Sequence, residues 1–197
     1  FLDIMDQQTS RLGAIIDDLL SISRLEQNEQ AAIPREECNI AEIFESVQGL
    51  CAEDARKKKT SLEFSVAEDI SCSLNPGLFE QAITNLVLNA IKYSPQGTRV
   101  SVVARMEKDG AGTGQNLVCE VSDNGIGIPE KHRERIFERF YRIDKGRSRE
   151  QGGTGLGLSI VRHIALAHGG TVSVDSAEGE GSTFRIVIPA RVNSPAR

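Results

Sequence analysis

Tryptophan is absent from this sequence, and aromatic residues of all kinds make up only 5% of it. A core with so few large rings must be built from Leu, Ile and Val. Cysteine is scarce as well: Cys38, Cys51, Cys72 and Cys119 are scattered, with no C-x-x-C pair and no histidine placed to complete a zinc set. That spacing does not fit a disulfide framework and leaves buried or half-buried free thiols in a reducing compartment. No apolar run approaches the roughly 20 residues of a membrane span. No signal-peptide pattern opens the chain. Excess positive charge is lacking too: the formal net charge of -5 speaks against a general nucleic-acid face. A nucleotide pocket needs only local positive charge and remains open. The chain starts on FLDIMDQ, inside a helical pattern and without an initiator Met, which reads as a piece of something longer with any sensor or membrane segment upstream.

What is present describes one cored domain and a smaller appendage within 197 residues. From Leu2 to about Gln30, Met5, Leu12, Ile15, Leu19 and Ile22 recur at helical steps, widened by Ile16 and Leu20. Such a stripe needs partner helices, in a bundle or a dimer. Gln27 to Glu37 is polar, contains Pro34, and reads as a linker. A second helix is expected from Ile40 to about Lys58, capped by Asn39, with the basic run Arg56 to Lys59 as a solvated end. Strands are expected at Leu62 to Val66 and Ile70 to Leu74, then a helix from Leu78 to about Tyr93 after Asn75-Pro76-Gly77. Arg99 to Met106 and Leu117 to Ser122 read as a hairpin around the turn Asp109 to Gly114. Further helices follow Pro129 and Thr154, and strands at Thr171 to Asp175 and Ser182 to Ile188 close the sheet. Helices mixed with antiparallel strands, rather than strict βαβ alternation, predict a two-layer α+β sandwich.

Four segments carry chemistry. In NLVLNAIKYS (Asn85 to Ser94), Asn85 and Asn89 lie one helical turn apart beside Lys92. The two amides read either as oxygen ligands for a hard cation such as Mg²⁺ or as polar residues on a solvent-facing stripe. In VSDNGIGIP a strand ends in Asp123, whose carboxylate suits an exocyclic amine such as that of adenine. Gly125 and Gly127 let the backbone approach a flat ligand, although D-N-G also fits a plain hairpin turn. GGTGLGLSIV (Gly152 to Val161) opens a helix whose N–H groups can hold phosphate oxygens. It lacks the preceding strand and following acid of a dinucleotide fold. In RIFERFYRID (Arg135 to Asp144), Phe137 and Phe140 read as anchors, while Arg139 and Arg142 offer guanidinium groups to phosphate. An amphipathic helix with exposed arginines is the other reading. The polar stretch Lys145 to Gln151 between this segment and the glycine cluster has the character of a mobile lid.

In this order the four segments resemble the N, G1, F and G2 boxes of sensor histidine kinases, within the ATPase group that includes gyrase, Hsp90 and MutL. LLSISRLE (Leu19 to Glu26) resembles the second helix of their dimerisation and phosphotransfer domain. The resemblance implies a Bergerat-type (GHKL) ATP-binding sandwich at residues 39–190, preceded by a bundle helix at 1–30 and a linker at 31–38 and followed by a tail at 191–197. It implies ATP and Mg²⁺ as ligands. By matching position Asn89 would ligate the metal, with Asn85 in support, and Asn85, Lys92 and Arg142 would be the catalytic residues. Arg139 would join Lys92 and Arg142 on the nucleotide, and Tyr93 would flank it. Asp123 would bind the adenine amine, with Gly125, Gly127 and Ile128 beside the base. Gly153, Thr154, Gly155, Leu156, Gly157 and Leu158 would shape the phosphate end, and Thr183 in GSTF would touch the base side. The implied partners are an acceptor-histidine helix, a response-regulator receiver domain and a second copy of the parent. The implied location is the cytoplasm, with the parent soluble or anchored in the inner membrane.

An acceptor histidine in an H-E-x-R-T-P-like motif is missing. His132, His163 and His168 all lie in or beside the ATP-binding boxes, without an adjacent acid on a bundle helix. The chain therefore reads as the donor half of the kinase, without self-phosphorylation. Clamp ATPases of the gyrase or MutL kind place a Glu general base one turn before the metal-binding Asn. Here that place holds Asn85, which takes no proton at neutral pH. A GHKL-type ATPase or serine kinase, and an ATP-binding interaction module without catalysis, stand as alternatives.

Overall fold

The computed structural model describes residues 33–67, 69–110, 112, 114–143 and 154–190, together with residues 5, 9, 12–13, 15–16, 18–20 and 23 near the N-terminus. The expected lid 145–151, Gly153, Ile22, the linker residues before Ile33 and the tail beyond Ala190 lie outside these residues.

A five-stranded sheet carries the fold, in the order β2 (Ser61–Val66), β4 (Arg99–Lys108), β5 (Gln115–Asp123), β7 (Gly181–Ala190), β6 (Thr171–Ala177). β2 pairs with β4 in parallel and every other neighbour is antiparallel. Alternation along the strands turns Val100, Val102 and Ala104, Leu117, Cys119 and Val121, and Phe184, Ile186 and Ile188 to one buried face. Against this face pack α1 (Ile40–Lys58), α2 (Pro76–Tyr93) and α4 (Gly157–Ala167), giving the predicted two-layer α+β sandwich. Branched aliphatics dominate the shared core, as the shortage of rings required. Cys51, Cys72 and Cys119 are buried and Cys38 is half-buried, all free. Burial pushes the Cys51 and Cys72 thiols up to about 11, so they stay protonated.

The opposite face of the sheet is polar, held by a cross-strand ion lattice. Arg105 clasps Glu120 in a fork, with Nη1 to Oε2 at 2.7 Å and Nη2 to Oε1 at 2.8 Å. Arg185 reaches the same carboxylate at 3.2 Å and also pairs with Glu107. Bidentate geometry makes such pairs stronger than single surface contacts.

Caps define where the site-bearing helices start. Asn39 Oδ1 accepts the Ala41 N–H at 2.8 Å, and Asn75 Oδ1 accepts the Leu78 N–H at 3.0 Å, with Pro76 opening α2. Asn75 N–H donates to His168 Nε2 at 3.0 Å, and His168 Nδ1 donates to Ile164 C=O at 2.8 Å. This neutral, buried ring joins the start of α2 to the end of α4. The linker expectation stops short of the structure, because Glu36–Asn39 form β1, antiparallel to β3 (Ser71–Leu74) with Cys38 opposite Cys72. The helix after Pro129 is also shorter than RIFERFYRID promised. It is α3 (Glu130–Arg133) and then a 3-10 turn (Arg135–Phe137), before the chain extends at Glu138.

The described residues of the N-terminal stretch are helical. Met5, Leu12, Ile16, Leu19 and Leu20 are exposed, while Ile15 packs against the core.

Candidate functional site

A cavity of about 780 Å³ opens between α2, the loop after β5 and the N-terminus of α4. On α2, Asn85, Asn89, Lys92 and Tyr93 all line it. Their spacing puts them on the face turned from Ile83, Leu86, Val87 and Ala90, which are buried in the core. The two asparagines thus face a cavity and not open solvent.

Asp123 ends β5 at the floor. Its Oδ1 accepts the Gly125 N–H at 2.7 Å. Burial raises its pKa, opposed by the backbone N–H groups of Gly125 and Ser182. A carboxylate held half-desolvated by two backbone donors is a site built to accept further hydrogen bonds. Gly127 follows with φ 67, and a Cβ there would lie 1.8 Å from the Ala177 carbonyl oxygen. Only glycine allows the loop to cross the β6–β7 turn this closely. The crossing is tied by Gly179 N–H to Ile126 C=O and by Ile128 N–H to Ser176 Oγ, both 2.8 Å. Ile128 and Gly127 line the cavity, and Gly125 supports Asp123 from behind.

At the other end, Thr154, Gly155, Gly157 and Leu158 line the cavity. A Cβ on Gly157 would lie 3.6 Å from Asn85 Oδ1 and 3.9 Å from Asn89 Nδ2, so the first turn of α4 sits directly against the two amides. The opening N–H groups of a helix have no partner within it, and they favour an anion by geometry and dipole. Arg142 enters from the far wall, and its Nη2 is buried without a hydrogen-bond partner among the described residues. Lys92 Nζ stands 5.2 Å from the Tyr93 ring centroid. Apolar surface comes from Leu88, Ile128, Ile136 and Phe184.

Three expected site residues, besides Gly125, lie elsewhere. Thr183 Oγ1 bonds Ser122 Oγ at 2.9 Å, while its neighbour Ser182 lines the cavity. Strand alternation sends successive β7 side chains to opposite faces, so neighbours one residue apart face the cavity and the far side of the sheet. Leu156 is fully buried and serves the core. Arg139 does not line the cavity; its Nη2 donates to His163 Nε2 at 3.3 Å, and His163 Nδ1 donates to Ser159 C=O at 2.7 Å. Phe137 is a buried anchor, edge-on to Phe184, but Phe140 is 56% exposed with φ 61. Its N–H is held by Gly155 C=O at 2.9 Å.

Sequence reasoning missed Asp18, Lys58, Tyr141, Glu178 and Ser182, which all line the cavity. Lys58, read as part of a solvated helix end, donates Nζ to Lys92 C=O at 2.9 Å. Tyr141 is pinned by His132 Nδ1 at 2.6 Å and by Arg135, 4.3 Å above its ring. No local pattern announces residues delivered from other elements. The alternation in GSTF could have singled out Ser182.

Residues 75–192 match the family model described as histidine kinase-, DNA gyrase B-, and HSP90-like ATPase. The chain is 38% identical over 189 residues to the sensor-like histidine kinase SenX3 of Mycolicibacterium smegmatis, covering 96% of this chain and 47% of that one. It is 33% identical over 195 residues to the sensor histidine kinase WalK of Bacillus subtilis, covering 96% and 30%. Full-length ShkA in complex with AMPPNP is similar in structure with a TM-score of 0.76 at 27% identity, over 94% of this chain and 37% of that one. The mycobacterial sensor histidine kinase MprB gives a TM-score of 0.64 at 29% identity, over 80% and 98%. The chain spans less than half the length of the two curated relatives named.

Proposed function

Because the chain belongs to the histidine kinase-, DNA gyrase B-, and HSP90-like ATPase family, as the ATP-binding domain of a sensor histidine kinase, we propose that it grips Mg-ATP in this cavity and donates the γ-phosphoryl group to an acceptor histidine on a separate helix. The observation that carries this reading is the opposition of Asp123 at one end to the α4 N-terminus, Asn85 and Asn89 at the other. Asp123 accepts the adenine amine, and Ser182 stands beside it. The first turn of α4, Lys92 and Arg142 hold phosphate oxygens; the buried Nη2 of Arg142, without a partner among the described residues, supports an anion there.

The donor set fits a hard cation shared with phosphate. Asn89, with Asn85 in support, would hold Mg²⁺, whose remaining ligands would be phosphate oxygens and water. When bound, the ion neutralises phosphate charge. Asn85 bears an amide where a hydrolytic base would stand, so nothing at that position takes a proton from water. That favours transfer over hydrolysis. The chain's own histidines support an acceptor elsewhere, since each ring is engaged: His132 with Tyr141, His163 with Ser159 and Arg139, His168 with Asn75 and Ile164. From that acceptor the phosphoryl group would pass to an aspartate of a response-regulator receiver domain. The exposed Met5, Leu12 and Leu19 support a bundle of helices and a homodimeric parent. Among the described residues no helix is long and apolar enough to cross a membrane. We place this domain in the cytoplasm, with its ATP supply and reducing milieu, and its parent either soluble or anchored to the inner membrane.

Labelled ATP, offered together with a separate protein that supplies the acceptor helix, tests the reading. Acid-labile, alkali-stable phosphate should appear on the acceptor and none on this chain alone. Asp123→Asn should lower ATP affinity by about 1.5–3 kcal/mol, the worth of a hydrogen bond to a charged group, and transfer should fall with it. ATP affinity unchanged in that variant removes Asp123 from the pocket. Label released to water at one rate with or without the acceptor makes the protein an ATPase.

A further inference from the structure

One side chain of the N-terminal helical stretch reaches the phosphate end of the cavity. Asp18 lines the cavity half-buried, and its Oδ2 accepts a hydrogen bond from Thr154 Oγ1 at 3.2 Å. The same hydroxyl accepts the Leu156 N–H at 3.2 Å, immediately before α4. Leu156 N–H, the Thr154 hydroxyl and the Asp18 carboxylate thus form one chain from the start of α4 into the N-terminal stretch. Three residues before Asp18, Ile15 packs against the core, which anchors the approach by an apolar contact as well.

The place Asp18 occupies is one made for an anion. It adjoins a helix N-terminus, where negative charge is favoured, in a cavity that also holds Lys58, Lys92 and Arg142. In the family's reading this ground belongs to phosphate. A carboxylate and a phosphate brought to one helix end repel each other. We propose that Asp18 is an intrachain competitor for the phosphate groups of ATP. The N-terminal helix, docked as here, holds its carboxylate at the phosphate end, and nucleotide displaces it. Occupancy of the site and the position of that helix are then coupled. By linkage, whatever draws the helix away strengthens ATP binding by the factor with which ATP loosens the helix. The competition rests on the nucleotide reading above.

Asp18→Asn removes the charge and keeps the size. Titration of the full chain with Mg-ATP should show affinity raised on the order of tenfold. Adenosine, which has no phosphate, should bind both proteins alike. Asp18→Ala should shift Mg-ATP in the same direction and serves if the Asn variant folds poorly. Mg-ATP affinity unchanged or lowered by both substitutions overturns the proposal. An equal gain for ATP and adenosine also overturns it, because that reports steric opening and not competition between charges. Wild-type protein that binds neither ligand ends the nucleotide reading and the competition with it. Wild-type protein that binds ATP with an affinity indifferent to Asp18 ends the competition alone.

Discussion

Gly127→Ala probes whether the loop after β5 must cross the β6–β7 turn as closely as it does. The added Cβ would lie 1.8 Å from the Ala177 carbonyl oxygen and 2.7 Å from its carbon. An ordinary carbon–oxygen approach is about 3.3 Å, so one segment must retreat by about 1.5 Å. Alanine at φ 67 adds about 1–2 kcal/mol of backbone strain, and overpacking adds about 1–3 kcal/mol. The sum, about 2–5 kcal/mol, lowers the melting temperature of a chain this size by roughly 4–20 °C. Retreat also loosens the Gly179–Ile126 and Ile128–Ser176 hydrogen bonds that hold the loop under Asp123, so ATP affinity should fall about tenfold or more. Gly179→Ala separates strain from clash, because Gly179 has φ 84 but nothing within 4 Å of its Cβ position. It should lose only about 1–2 kcal/mol and keep its nucleotide affinity. Calorimetric melts and ATP titrations of the two variants side by side are the assay. Equal melting losses and equal affinities would refute the close crossing.

His168→Leu should cost about 1–3 kcal/mol at neutral pH, since the Asn75 N–H and the Ile164 C=O both lose a buried partner. Burial holds the His168 pKa below its ordinary 6.5, so wild-type stability should fall as pH drops below about 6.5 toward the folded value. The unfolded chain binds the proton first, and denaturant melts across pH should show that slope reduced in the variant. Glu120→Gln should cost about 1–2 kcal/mol and lose much of its effect in molar salt. Arg105 holds the Glu120 carboxyl below its ordinary 4.5, so the wild-type contribution is present above that value and lost as pH falls through the folded one. Asn89→Ala should remove the Mg²⁺ dependence of ATP binding while leaving adenosine affinity unchanged, as isothermal titration with and without the ion would show; a surviving Mg²⁺ effect would take Asn89 out of the metal site.

Much of the fold was legible locally. Asn39 marks the start of α1 because an Asx side chain satisfies N–H groups that the helix itself cannot, whereas the helix expected from Leu78 starts at Pro76, inside the segment read as a break. The strand expected at Arg99 to Met106 forms as β4, where alternation buries Val100, Val102 and Ala104 and leaves Ser101 and Val103 half-buried. β1 was not legible, because four residues reading EECN have no apolar alternation and become a strand only by pairing with β3. The shortened helix after Pro129 has the same origin: Phe137 is drawn into the core against Phe184, while Phe140 is turned outward by its backbone bond to Gly155.

For the site, sequence alone determined what one segment can carry by itself. Asn85 and Asn89 share a face because a helix repeats every 3.6 residues. Asp123 ends a strand, and the glycines around it permit a close backbone path. Tertiary structure decided everything that depends on two segments meeting. It put Ser182 in the cavity and Thr183 against Ser122 through the register of β7 on β5. It moved Arg139 onto His163 and brought Lys58 into the cavity from a helix end that looked merely solvated. It also set the Asp18 carboxylate beside Thr154, 136 positions away along the chain. Periodicity and backbone permission act over a few residues, whereas the electrostatics of a pocket are summed over whatever side chains packing delivers to it.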